Sequence, residues 1–260
     1  MEFKVKRPLY VFEEIVSMLR DEKGCPWDRK QTHQTLRPYL IEEAYEALDA
    51  IDSGDPEHIK EELGDVLLQV YLHAQIAREQ NQFTIDDVAQ CIVDKIILRH
   101  PHVFGDDTVT DADHVVERWE QIKKREKPHR TSLLDGVPKN LPALLKAYRV
   151  QQKVSRVGFD WERIEDAAGK LDEEIVELKH ALASTDRKNI VDEAGDILFS
   201  IVNLLRFMKI NPEDALLTAI EKFIVRFQHI EKRAVEMKKN LEDMTIDEME
   251  ILWQESKRSV

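Results

Sequence analysis

Apolar residues recur at three- and four-residue steps along almost the whole chain, as in Ile59, Leu63, Val66, Leu67, Val70 and Ala74. That is the spacing of one face of an α-helix. The pattern predicts helices over about 9–20, 38–51, 56–79, 85–99 and 111–126, and again over 142–156, 163–183, 187–208, 213–239 and 246–257. Between them stand breaks with a chemical cause. Ser53-Gly54-Asp55-Pro56 ends one helix and starts the next, Thr84 can cap a helix, and Thr245 with Glu248 has capping-box spacing. Residues 21–32 and 100–110 read as loops. The stretch 128–140 carries Pro128, Gly136 and Pro138 and no apolar period, which makes it a linker between domains at 1–127 and 141–260. No segment alternates as a strand does. The expected fold is all-α: two four-helix-bundle-like modules in tandem.

The two modules echo each other. Glu42, Glu43, Glu46, Glu62 and Asp65 recur as Glu173, Glu174, Glu177, Glu193 and Asp196, each displaced by 131 residues, with Glu62-Leu63-Gly64-Asp65 matched by Glu193-Ala194-Gly195-Asp196. Acidic residues are common here, 51 of 260, so one matching pair would mean little. Five in fixed register identify an internal duplication.

On a helix, residues three or four apart are surface neighbours, so Glu174 and Glu177 project together, as do Glu193 and Asp196 on the next helix. Two antiparallel helices can then turn four acids into one space. At 4 Å and an effective dielectric near 20, each pair of carboxylates repels by about 4 kcal/mol. A cation is therefore required, and oxygen ligands without His or Cys favour Mg²⁺ or Mn²⁺. The plain alternative, solvated helix faces, explains either set alone but not the exact echo. A di-iron bundle needs Glu-x-x-His on two helices. Glu177 and His180 supply it once, and Asp49 stands at the matching place in the first module.

Cations follow a parallel plan. Lys95 and Arg99 lie at i, i+4, as do Lys222 and Arg226, and each module closes on Trp-x-x-x-Lys: Trp119 with Lys123, and Trp253 with Lys257. A tryptophan on an amphipathic helix is usually core. Within this repeated set it is also a candidate base-stacking or site-wall residue. A net charge of −13 disfavours nucleic acid as a direct partner, while a small anion can still bind through a cation. Two cysteines form no disulfide framework, and no apolar stretch suggests a signal peptide or membrane span, so a cytoplasmic protein is expected. There is no phosphate-binding glycine loop and no nucleophile motif. Phosphates would have to be held by metal and by Lys or Arg side chains, with water as the attacking group.

These residues, together with Gly24-Cys25-Pro26-Trp27-Asp28, Gln31-Thr32-His33, Tyr39 to Glu46, Arg99 to Phe104 and Val157-Gly158-Phe159-Asp160-Trp161, resemble the MazG nucleoside triphosphate pyrophosphohydrolases of the two-domain bacterial type over nearly the full length. The resemblance implies an all-α dimer that uses Mg²⁺ to cleave NTP to NMP and pyrophosphate. It implies metal ligands Glu174, Glu177, Glu193 and Asp196, a phosphate-contacting pair Lys222 and Arg226, and Trp253 and Lys257 beside them. The matching positions in the first module are Glu43, Glu46, Glu62 and Asp65, with Lys95, Arg99, Trp119 and Lys123. Lys170, one turn before Glu174, is a further candidate contact.

The expected reaction is attack by metal-activated water on the α-phosphorus of NTP, and of dNTP as well. Glu173 or a metal ligand would take the proton, and Lys222 and Arg226 would offset the developing charge. The two modules are not equivalent, since 30 residues separate Asp65 from Lys95 but 26 separate Asp196 from Lys222. The second is expected to be the working site and the first a second site or a dimerisation module. The alternative from another class is a nucleotide-sensing or protein-binding scaffold that binds with Mg²⁺ and releases no NMP. A purely structural bundle is the third reading, and it predicts no effect of Mg²⁺ on thermal stability.

Overall fold

The computed structural model describes residues 7–111, 114, 115, 118, 119, 122, 126 and 131–259. These are helical with no strand among them, and the chain divides into two compact units, Met1–Lys127 and Pro128–Val260. The protein is all-α and is built from two tandem helical modules.

In the first unit, α1 (Pro8–Arg20) and a short α2 (Pro26–Lys30) lead into α3 (Arg37–Ser53) and α4 (Pro56–Glu79), followed by α5 (Ile85–Arg99) and a single turn, α6 (Pro101–Phe104). α3 packs along α4, and α1 crosses α4. The core joins Val16 and Leu36 to Tyr71, Leu72 and Ile76, with Phe12, Leu67, Leu68 and Ile85 against it. The loop before α3 is fastened from below. Arg20 donates to both oxygens of Glu79 at 2.8 Å and to the carbonyls of Asp28 and Gln31. Gly24 sits so close to the end of α1 that a Cβ there would stand 2.3 Å from the carbonyl oxygens of Met18 and Leu19.

In the second unit, α7 (Ala143–Ser155), α8 (Ile164–Ser184) and α9 (Arg187–Phe207) form one layer of contacts, and α10 (Pro212–Glu236) and α11 (Ile246–Ser259) form a hairpin. The hairpin core is Ile230, Ala234, Met244 and Leu252, joined by Leu241, Met249 and Trp253. The turns between the acid-bearing helices are duplicated down to their hydrogen bonds. Ser53 Oγ donates to the carbonyl of Ala50 as Ser184 Oγ does to Ala181, and Asp55 caps α4 as Asp186 caps α9. The left-handed residue between them is Gly54 in one turn (φ 70°) and Thr185 in the other (φ 57°).

Three features differ from the periodic reading. α2 and α6 form where loops were expected, because Pro26 and Pro101 sit at first-turn positions where a missing N–H costs nothing. α10 stops at Glu236, short of residue 239. The chain leaves it through Lys238 in the left-handed region (φ 55°), and a 3₁₀ turn, Leu241–Asp243, follows. The helix expected over 111–126 and the start of the 128–140 stretch fall largely outside the described residues. The capping box at Thr245 is present, with Glu248 N–H donating to Thr245 Oγ1 at 3.3 Å and Thr245 N–H to Glu248 Oε2 at 3.1 Å.

Candidate active site

Because α8 and α9 are joined by a two-residue turn, they run antiparallel, and the i, i+3 acids of each face the other. Glu174, Glu177 and Glu193 bring carboxylate oxygens within 4.8 Å of one another. Glu174 is only 6% exposed. Lys170, one turn earlier on α8, donates to Glu173 Oε1 at 2.9 Å and to Glu174 Oε1 at 3.0 Å. Those two contacts raise the Lys170 ammonium well above its ordinary range. A hydrogen bond with Glu174, desolvation by its neighbours and the Glu174 charge push the carboxyl of the exposed Glu177 upward, and Lys170 only partly offsets them. The group is short of positive charge. Its all-oxygen donor set, one member of it buried, fits a hard divalent cation.

Asp196, expected as a fourth member, is not among the three that gather; it lines, with Glu174, a cavity of about 470 Å³. Lys170, Glu174 and Asp196 form its acid end, Val150, Val154 and Phe199 line its apolar wall, and Phe159 and Trp161 supply aromatic surface. Its far side is fixed by Arg206, which pairs with Asp160 and donates to Asn203 Oδ1 from Nε at 3.0 Å. Gly158, at φ 84°, turns the loop that presents Phe159.

The first module gathers a different three of its four matching acids, without the lysine. Glu43, Glu62 and Asp65 gather within 4.8 Å, and Tyr39 stands where the repeat places Lys170. Burial and the neighbouring charges of Asp65 and Glu46 raise the Glu43 carboxyl, against a hydrogen bond from Gln69. Gln69 Nε2 reaches Glu43 Oε1 at 3.3 Å, and His58 Nε2 lies 3.3 Å from Glu62 Oε1. Glu46 is exposed beside the three. A broader, open depression of about 820 Å³ along α1, lined by Tyr10, Glu13, Ser17 and Arg78, contains none of these acids.

Apart from Lys170, none of the second module's basic and aromatic candidates lines the cavity. Lys222 and Arg226 are on α10, and neither lines the cavity. Arg226 rests over the Trp253 ring at 5.5 Å, and that ring packs on Phe223 and on the hairpin core. Lys257 is exposed on α11. Lys95 is exposed on α5. Arg99 is paired with Glu126 through two bonds and lies 5.7 Å from the Trp119 ring. Lys123 lies outside the described residues. The aromatic wall of the cavity is formed by Phe159 and Trp161, to which the sequence reading gave no role. The signal was present in Val157 to Trp161, but only as an unexplained motif. The pairing of Arg206 with Asp160 across 46 residues left no local trace.

A sequence profile of the MazG nucleotide pyrophosphohydrolase domain matches residues 31–104 and 164–231, one match in each module. The chain is 46% identical over 251 residues to a nucleoside triphosphate pyrophosphohydrolase/pyrophosphatase MazG of Thermotoga maritima, covering 95% of this chain and 96% of that one. It is 41% identical over 249 residues to the Escherichia coli nucleoside triphosphate pyrophosphohydrolase, covering 94% and 95%. It is also 50% identical over 250 residues to half of an uncharacterized Bacillus subtilis protein, YabN, covering 51% of its length. The twin matches fall on the helix pairs that carry the paired acids, and the chain belongs to the MazG nucleotide pyrophosphohydrolase family.

Proposed function

We propose that this nucleoside triphosphate pyrophosphohydrolase hydrolyses NTP and dNTP to the monophosphate and pyrophosphate at the second module, with Mg²⁺ (or Mn²⁺) held by Glu174, Glu177, Glu193 and Asp196. The observation that carries the reading is the opening of this short-of-cation acid group onto a cavity with an aromatic flank. A divalent ion there would supply Lewis-acid polarisation of a phosphoryl oxygen and a lowered pKa for water. Glu173, exposed at the edge of the group, is the proton acceptor. Lys170 positions Glu173 and neutralises Glu174, and it stands at the cavity mouth where a phosphate arrives. The apolar wall excludes water from the bound nucleoside.

Lys222, Arg226, Trp253 and Lys257 are outside the cavity lining of their own chain, and the face of α10 that carries Leu216, Ile220, Phe223 and Ile224 is exposed. This supports a homodimer in which α10 meets a second copy and brings the basic pair to the phosphates. The first module, with Glu43, Glu46, Glu62 and Asp65 and with Lys95, Arg99, Trp119 and Lys123, is a second cation site of lower or no turnover. Residues 128–140 serve as the linker. No helix among the described residues is long and apolar enough to cross a membrane. We place the enzyme in the cytoplasm, without nucleic acid as a partner.

The test is product analysis with a panel of NTPs and dNTPs plus Mg²⁺. Asp196→Asn should abolish nearly all pyrophosphate release while leaving helicity intact. Full turnover by Asp196→Asn would refute the assignment to the second module.

A further inference from the structure

One wall residue of the cavity has a carbonyl with nothing to bond. Gln151, on α7, is 5% exposed and lines the cavity next to Ser200 and Phe199, one turn beyond Asp196. Its Nε2 donates to the Phe199 carbonyl at 2.8 Å. That bond sets the orientation of the amide, because a flip would oppose two oxygens. Oε1 is then an acceptor closed to water and without a partner. Such a group destabilises the free protein unless a donor arrives.

The Asn203 carbonyl and Asp160, also in the wall, are already committed. Asn203 Oδ1 accepts from Arg206 Nε and Nη2 at 3.0 and 2.9 Å, and Asp160 accepts from the same guanidinium. The acids at the other end belong to the cation and the phosphates. With phosphates at Glu174 and Asp196, the ring of a nucleotide falls toward Phe159 and Trp161, which offer it flat apolar surface.

We propose that Gln151 is a specificity-determining residue whose Oε1 accepts a hydrogen bond from an N–H on the edge of the nucleobase. The proposal rests on the pyrophosphohydrolase reading above. Because Oε1 is closed to water, the base displaces a neighbouring side chain to reach it, and no bond from Oε1 to solvent is lost in the exchange. A ring with an amino or imino hydrogen is accepted, and one that presents only lone pairs leaves the buried oxygen unpaired.

The test compares kcat/KM for pyrophosphate release from ATP, ITP, purine riboside triphosphate, whose base has no N–H, and 2′,3′-dideoxy-ATP, which has no sugar hydroxyl. The wild type should process purine riboside triphosphate about 10-fold or more less efficiently than the better of ATP and ITP. In Gln151→Met that ratio should collapse to within about 2-fold, through a higher KM for the better substrate. A variant that melts earlier but keeps the wild-type ratio would show a packing role alone and overturn the proposal. So would a collapse seen only between ATP and the dideoxy analogue, which would assign the donor to the ribose. Should Gln151→Met not fold, the wild-type ratio decides, and equal use of purine riboside triphosphate and ATP overturns the proposal. Turnover without base discrimination overturns this proposal alone, whereas no pyrophosphate from any triphosphate overturns the hydrolase reading and this one together.

Discussion

Arg20 shows how much one buried cation organises. Its side chain is 5% exposed, and Glu79 across from it is 37% exposed. The guanidinium hydrogen bonds hold the Glu79 carboxyl below its ordinary range. A carboxylate depressed in the fold stabilises above its unfolded value, near 4.5, and that contribution is lost as pH falls through the lower folded value. Glu79→Gln should therefore cost about 1–2 kcal/mol at neutral pH, less than the 3–5 typical of a fully buried pair because solvent screens Glu79. The difference from wild type should shrink toward zero in urea titrations carried below pH 4. Gly24→Ala should cost about 2 kcal/mol or more, since its methyl meets backbone oxygens that cannot rotate away. Thermal melts of the first module would show it as the earlier transition.

At the scale of elements, the acid groups depend on two hairpins whose turns hold α3 to α4 and α8 to α9. The second turn is built with a residue ill suited to it. Thr185 is β-branched and left-handed, where the first module uses Gly54. Thr185→Gly should stabilise the second hairpin by about 0.5–1 kcal/mol, while Asp186→Ala, which removes the cap that accepts from Lys188 N–H at 3.0 Å, should cost about 1 kcal/mol. Opposite shifts of the denaturation midpoint at constant slope are the expected result. Both changes lie two turns from Glu193, so neither should alter the Mg²⁺ concentration for half-maximal activity by more than about 2-fold.

At the scale of the whole molecule, duplication has left two acid groups with unequal surroundings. The second has Lys170 and a cavity beside it, and the first has Gln69 and His58. Mg²⁺ binding to the folded state alone should raise the melting temperature, and Asp65→Asn and Asp196→Asn should each remove part of that rise. Only Asp196→Asn should also abolish turnover, by a factor of about 100 or more. Calorimetry and pyrophosphate assay on the same samples separate the two. The exposed face of α10 provides the remaining test. Under the proposed homodimer, Phe223→Glu should halve the mass measured by light scattering, and activity should fall with it as the basic pair loses the second copy's phosphates.

The helical class and the duplication were legible in residues alone, because helix periodicity and i, i+3 adjacency are local consequences of 3.6 residues per turn. Glu174 and Glu177 lie on one helix face whatever surrounds them. What the tertiary structure decided was everything that depends on distant chain segments meeting. Arg206 reaches Asp160 across 46 residues, Phe159 and Trp161 line the same cavity as Glu174 and Asp196, and Gln151 is stranded without a donor. Burial and pairing are set by packing between elements, and no periodicity along the chain encodes which side chain a neighbouring helix will cover.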